Sequence, residues 1–173
     1  MQVSTPTNDA KFALYQEVCE QLHDLLVAER DMVANAANTT ALLKQKLPDV
    51  NWVGFYFVDE GELVLGPFQG QVACTRIPFD KGVCGKAAAG KKTINVPDVS
   101  KFQGHIVCDN ASRSEIVIPL LNWGKLWGVL DVDSPTLNRF DEDDQEGLES
   151  VVSVFVASLQ SDDLPDLSEE AAS

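Results

Sequence analysis

The stretch from His105 to Ser134, HIVCDNASRSEIVIPLLNWGKLWGVLDVDS, constrains this chain more than any other. Two apolar, β-branched runs, residues 115–121 and 125–134, flank Asn122-Trp123-Gly124 and predict the strands of a hairpin. Side chains alternate across a strand with period two. Asp131 and Asp133 therefore share one sheet face while Leu130 and Val132 share the other. Glu115 opens the partner strand, and pairing across the turn brings it toward both acids. A packed core does not ask for acids there, whereas a pocket for a cationic or protonated ligand does. Carboxyl groups crowded in this way raise one another's pKa and can hold a proton near neutrality. Such a group can bind an ammonium or protonate a substrate oxygen. The plainer reading has the three acids at strand ends reaching water. Pro119 predicts an edge or bulged position for the first strand.

The segments before the hairpin supply its surroundings. Phe12, Tyr15, Cys19, Leu22 and Leu26 recur at three and four, widened by Val18 and Leu25, and predict an amphipathic helix with Asp9 as candidate N-cap. A second, alanine-rich helix runs over about residues 31–46 and stops before Pro48; its small faces suit close approach of a helix or a second subunit. NWVGFYFV (51–58) and ELVLG (62–66) form a hairpin around Asp59-Glu60-Gly61. VACTRIPF (72–79) reads as a third strand, GVCGKAAA as a short helix entered through a glycine loop, and TINV (93–96) as a short strand. Residues 98–113 have no periodicity, and connections of that length are commonly functional.

After the hairpin, Asp141 caps a last helix with Asp144 answering three residues on. Its apolar face is Leu148, Val151, Val152, Phe155, Val156 and Leu159. This order predicts an α+β fold, a central antiparallel sheet with the N- and C-terminal helices packed on one face. Residues 1–160 form a single domain, and 161–173, with five acids and no base, an acidic disordered tail.

The formal net charge is −14, and no stripe of Lys or Arg interrupts it, which argues against nucleic acid and against an anionic membrane surface. No apolar run nears the roughly 18 residues of a membrane span. The N-terminus lacks the basic-then-apolar order of an export signal, so a cytoplasmic setting is expected. No phosphate-cradling glycine pattern occurs.

Four cysteines remain to be explained. Cys19 falls in the helical stripe and reads as a small apolar residue. Cys74 sits in or beside a strand. Cys84 lies between glycines near a helix start, where exposed N–H groups lower thiol pKa. Cys108 lies in the irregular segment with His105 three residues before it and Asp109 beside it, and becomes a nucleophile if a base or positive group is near. In a reducing compartment a cycling disulfide is the better expectation than a structural bridge. His105-x-x-Cys108 lacks the second close pair of a structural zinc site, so no metal is expected. Trp52 and Tyr56 share one face of the first strand, as core or as the wall of a small amphipathic pocket.

The runs GPFQGQVACTRIPFDKGVCGKAAA, NVPDVSKFQGHIVCDNASRSEIVIPL and GVLDVDSPTLNRFDEDD together resemble the free methionine-(R)-sulfoxide reductases, a family built on the GAF domain. The resemblance spans about residues 12–160. It implies a GAF-like fold and thiol-dependent reduction of the R epimer of free methionine sulfoxide. Cys108 matches the nucleophile, and Cys74 and Cys84 the two cysteines able to resolve its sulfenic acid, their order left open. Glu115, Asp131 and Asp133 match the carboxylates that hold the amine and protonate the sulfoxide, and Trp52 and Tyr56 the pocket around the methyl end. A homodimer, recycling by a thioredoxin-like dithiol protein, and no metal or organic cofactor are further implications. The rival is a GAF domain that binds a small ligand or senses redox state without turnover. It is distinguished by whether Cys108 and a second cysteine meet beside the acids.

Overall fold

The structure, a computed structural model, describes residues 8–160; the expectations of a loose N-terminus over residues 1–7 and of a disordered tail over 161–173 lie outside them. In chain order the elements are α1 (Asn8–Leu26), α2 (Met32–Lys46), β1 (Trp52–Asp59), β2 (Glu62–Gln69), β3 (Arg76–Pro78), α3 (Gly82–Gly90), β4 (Ile94–Val96), a 3-10 turn (Val99–Lys101), β5 (Ser114–Asn122), β6 (Lys125–Ser134) and α4 (Glu142–Ser158). The strands form one antiparallel sheet in the order β3-β2-β1-β6-β5-β4.

The central hairpin closes through a two-residue turn, with Trp123 (φ 50) and Gly124 (φ 77) both left-handed. That geometry matches the twist of the flanking strands. Asn122 pairs with Lys125 and Leu121 with Leu126, but Leu120 pairs with Gly128, so Trp127 is an extra residue on β6. Beyond this bulge the register runs unbroken to Ser114 opposite Ser134. β4 covers β5 only opposite Glu115–Val117, leaving Pro119 where β5 has no outer neighbour. A proline, lacking its N–H, loses nothing there.

The two sheet faces bury different neighbours. Val53, Phe55, Ile116, Ile118, Leu120, Leu130 and Val132 join the buried faces of the long helices in one core. α2 and α4 lie on the sheet, and α1 rests on both. On the opposite face Trp52, Tyr56, Leu63, Val117 and Val129 pack with Val83, Ala87 and Ala88 of α3.

Expectations for α1 and for the run 72–79 need correction. Phe12 is 72% exposed, while Lys11 next to it is buried. The Lys11 ammonium donates to Asp144 Oδ2 (2.7 Å) and Asp141 Oδ2 (2.6 Å), and the Tyr15 hydroxyl donates to Asp144 Oδ1 (2.8 Å). Arg139 donates to Asp144 Oδ2 at 3.0 Å. This ion network takes the place of Phe12 in the first turn of α1, while Tyr15, Val18, Leu22 and Leu26 of the expected stripe are buried in the core. Asp9 likewise lies inside the first turn of α1 rather than capping it. The α4 cap is as expected, with Asp141 and Asp144 each accepting from the other's backbone N–H at 3.1 Å. The second correction concerns the run 72–79, which is strand only at Arg76–Pro78, because the chain from 70 to 75 leaves the sheet.

Candidate active site

The departing segment carries Cys74 to Cys108. The two form a disulfide with Cα atoms 5.5 Å apart, joining residues 34 apart in sequence, while Cys19 and Cys84 are free. Two side chains of β1 hold the Cys74 loop in place. The Trp52 indole donates to the Gln71 carbonyl (3.0 Å), and the Tyr56 hydroxyl to the carbonyl of Cys74 itself (2.9 Å). Trp52 stacks on Tyr56 and Phe68, its ring lying across Gly54, where a Cβ would collide with it. Tyr56 lines the cavity described below, whereas Trp52 stands behind it as a strut.

The Cys108 loop is fastened from the start of β1. Asn51 Nδ2 donates to Asp109 Oδ2 (2.9 Å) and to the Ser112 hydroxyl (3.1 Å). Nothing in the sequence singled out Asn51, since its partners lie 58 and 61 residues away. Asp109 and Ser112 line the cavity, as do Lys81 and Ile106.

Below the disulfide lie the acids. Glu115 pairs with Asp133 across β5 and β6, and Asp131 lies opposite Gly54 of β1. They do not face water: Glu115 is 6%, Asp131 7% and Asp133 9% exposed. Burial raises all three carboxyl pKa values well above their ordinary range, and the neighbouring carboxylates raise them further, Asp133 acting on Glu115, Glu115 on Asp131 and Asp131 on Asp133. Both causes favour retention of a proton among the three carboxyl groups. Asp131 Oδ1 has no hydrogen-bond partner.

Cys84 occupies the third position of α3, entered through Gly82 (φ +61), whose missing Cβ leaves room for Ile106. Its Sγ lies 3.9 Å from Glu115 Oε1. The helix start does not make this thiol acidic. Burial and then Asp131, Glu115 and Asp133 push its pKa well up. His105 Nε2 is 3.3 Å from Glu115 Oε2. Burial lowers the imidazole pKa and raises that of Glu115, so both shifts disfavour an ion pair between them.

Cys84, Cys108, Glu115, Asp131 and Asp133 thus border one cavity of about 30 Å³. Cys84, Glu115 and Asp131 each bring one metal-ligating atom within 4.8 Å of the others. His105-x-x-Cys108, the pair considered from spacing, is divided: the sulfur is in the disulfide and the imidazole is on Glu115.

Residues 13–159 match the GAF domain family. The chain is 46% identical over 142 residues to a protein of Escherichia coli named free methionine-R-sulfoxide reductase, covering 82% of this chain and 86% of that one. This chain belongs to the GAF-domain family of free methionine-(R)-sulfoxide reductases. A solved reductase of this name from Neisseria meningitidis, in complex with its substrate, superposes with a TM-score of 0.84 at 46% identity, covering 92% of this chain and 94% of that one. A crystal structure described as a putative GAF sensor protein, from Burkholderia vietnamiensis, superposes equally well, with a TM-score of 0.84 at 50% identity over 87% of this chain and 99% of that one. Family members thus carry both descriptions, and the chemistry of the site has to separate them.

Among the described residues no helix is long and apolar enough to cross a membrane.

Proposed function

We propose that this chain reduces free L-methionine (R)-sulfoxide to L-methionine, with Cys108 as nucleophile and Cys74 as the resolving cysteine. The observation that carries this reading is the Cys74–Cys108 disulfide at the rim of a cavity floored by three buried acids. A sulfoxide oxygen leaves only when protonated. A carboxylic acid of the cluster gives its proton to that oxygen as the Cys108 thiolate attacks the sulfur. The hydroxyl passes from the substrate sulfur to the Cys108 sulfur as the transient bond between the two sulfurs breaks, its electron pair staying with methionine, which departs and leaves Cys108 as a sulfenic acid. The Cys74 thiol then attacks the Cys108 sulfur, water leaves, and the disulfide forms. Two electrons from an external dithiol reopen it by exchange.

Each remaining group has a part. The acids left ionised after the transfer hold the substrate's ammonium, which a peptide chain lacks. This gives the preference for the free amino acid. Tyr56 closes the wall, and Trp52 holds the loop that presents Cys74. Cys84 stays a thiol beside the acids. The recycling partner fits a thioredoxin-like dithiol protein in a reducing, cytoplasmic setting. Residues 1–160 are one catalytic unit. The exposed apolar side chains of the helical side, Phe12, Leu25, Val27 and Val33, are surface that a homodimer would cover.

The test follows loss of each methionine sulfoxide epimer, free and in a peptide, with a dithiol reductant. Consumption of only the free R epimer, abolished by Cys108→Ser, is expected. Cys74→Ser should permit one stoichiometric reduction and then stop with thioredoxin as reductant. Turnover of neither free epimer overturns the assignment in favour of a sensing GAF domain.

A further inference from the structure

Cys84 and the acids around it form a donor set that the reductase chemistry does not use as such. Sγ of Cys84 and one oxygen each from Glu115 and Asp131 lie within 4.8 Å of one another, on three buried side chains. Asp131 Oδ1 is buried with no hydrogen-bond partner. Among the described residues, no lysine or arginine forms an ion pair with Glu115, Asp131 or Asp133, and His105 is the basic group in contact with the cluster. Sulfur and oxygen donors are gathered in a space where, among the described residues, no lysine or arginine is bonded to them. A substrate ammonium or a metal ion can satisfy them.

We propose that Cys84, Glu115 and Asp131 bind one thiophilic divalent cation of the zinc class, and that the ion excludes substrate from the same cavity. The second half of this statement rests on the reductase reading; the first does not. One sulfur with two carboxylate oxygens suits zinc or cadmium. Calcium and magnesium, which require six or more oxygen ligands, are poorly served. With zinc–sulfur and zinc–oxygen bonds of about 2.3 and 2.0 Å, oxygen–oxygen and sulfur–oxygen pairs of a tetrahedral site stand about 3.3 and about 3.5 Å apart. The Cys84 Sγ to Glu115 Oε1 distance, 3.9 Å, is close to that already. A water completes the fourth position. When the ion binds, the Cys84 thiol proton and the proton held among the carboxyl groups both leave to solvent, and no electron changes hands.

The disulfide form makes the test clean, because Cys19 and Cys84 are then the only free thiols of the chain's four cysteines. Full-length oxidised protein is titrated with cadmium and the thiolate-to-cadmium ultraviolet band recorded. One equivalent should bind, with the band kept in Cys19→Ala and lost in Cys84→Ser. Asp131→Asn, checked by circular dichroism, should weaken binding at least about tenfold, the cost of losing even an outer-shell partner. Zinc should then compete with free methionine (R)-sulfoxide in single-turnover assays of phosphine-reduced protein. No band, a band that disappears with Cys19, or an affinity untouched by Asp131→Asn overturns the site. Turnover by metal-free protein that gives no cadmium band sinks the metal site alone. A Cys84-dependent band in protein without turnover upholds the metal site and sinks the reductase reading.

Discussion

On the helix side of β5 and β6, Ile116, Ile118, Leu130 and Val132 are buried in a continuous apolar core. On the other side of the same two strands, Glu115, Asp131 and Asp133 are buried almost as completely. Neighbours in sequence, such as Leu130 and Asp131, therefore have opposite energetics. Burial of Leu130 stabilises the fold by about 1.5–3 kcal/mol. Burial of Asp131 costs stability unless it stays protonated. The long helices hold the sheet together from one side. That lets the other side carry groups chosen for reactivity under a thinner cover of α3 and loops.

Substitutions on the two faces should separate chemistry from stability. The largest effect belongs to Cys108→Ser, expected to reduce methionine (R)-sulfoxide loss to background while the thermal melt of the fold is retained. Next, Asp131→Asn should lower kcat/KM for the free sulfoxide by about 10²–10⁴-fold, the usual worth of a general acid. Similar activity in the two proteins would remove Asp131 from the reaction. On the helix side, Phe155→Ala, which deletes a ring stacked 4.5 Å from that of Phe55, should cost about 3–5 kcal/mol in urea unfolding with KM unchanged.

The pH dependence of stability probes the acid face directly. A carboxyl whose pKa is raised by folding binds its proton more tightly in the folded chain. Its contribution is complete below the unfolded value, about pH 4, and is lost as the pH rises through the folded value. Unfolding free energy should therefore decline from mildly acid to alkaline pH. Asp131→Asn should flatten that decline and stabilise the protein by about 1–2 kcal/mol at pH 8. A melt that is indifferent to this substitution at pH 8 would mean that the acids are not strained. The smallest effect is Phe12→Ser: at 72% exposure it should change stability by less than about 0.5 kcal/mol in the monomer. A larger shift that grows with protein concentration would place α1 in a subunit contact.

How far the sequence discloses this arrangement depends on the range of the interactions. The hairpin and its acids were legible because alternation and turn chemistry act over a few residues. The α4 cap was legible for the same reason. Phe12 was misplaced because Lys11 is drawn inward by Asp141 and Asp144, and local periodicity carries no trace of partners 130 and 133 residues away. The run 72–79 has the composition of a strand throughout, yet its first half is diverted by a bond from Cys74 to a cysteine 34 residues on. That pairing could not be derived from spacing. Asn51 was missed because a lone asparagine before a strand has no distinguishing pattern. The resemblance named the cysteines and acids, and the geometry added which of them touch.

Trp127, the extra residue on β6, acts in effect as a frame marker. Three positions separate the bulge from Leu130 and four from Asp131. A single-residue insertion or deletion between the turn and the acids would, unless the bulge absorbed it, rotate the far end of the strand by one side-chain position. Leu130 and Val132 would then face the reactive cavity, and two aspartates the greasy interior under α4. An indel near the distant, solvent-exposed tip of this hairpin should therefore be as damaging as a substitution among the acids themselves.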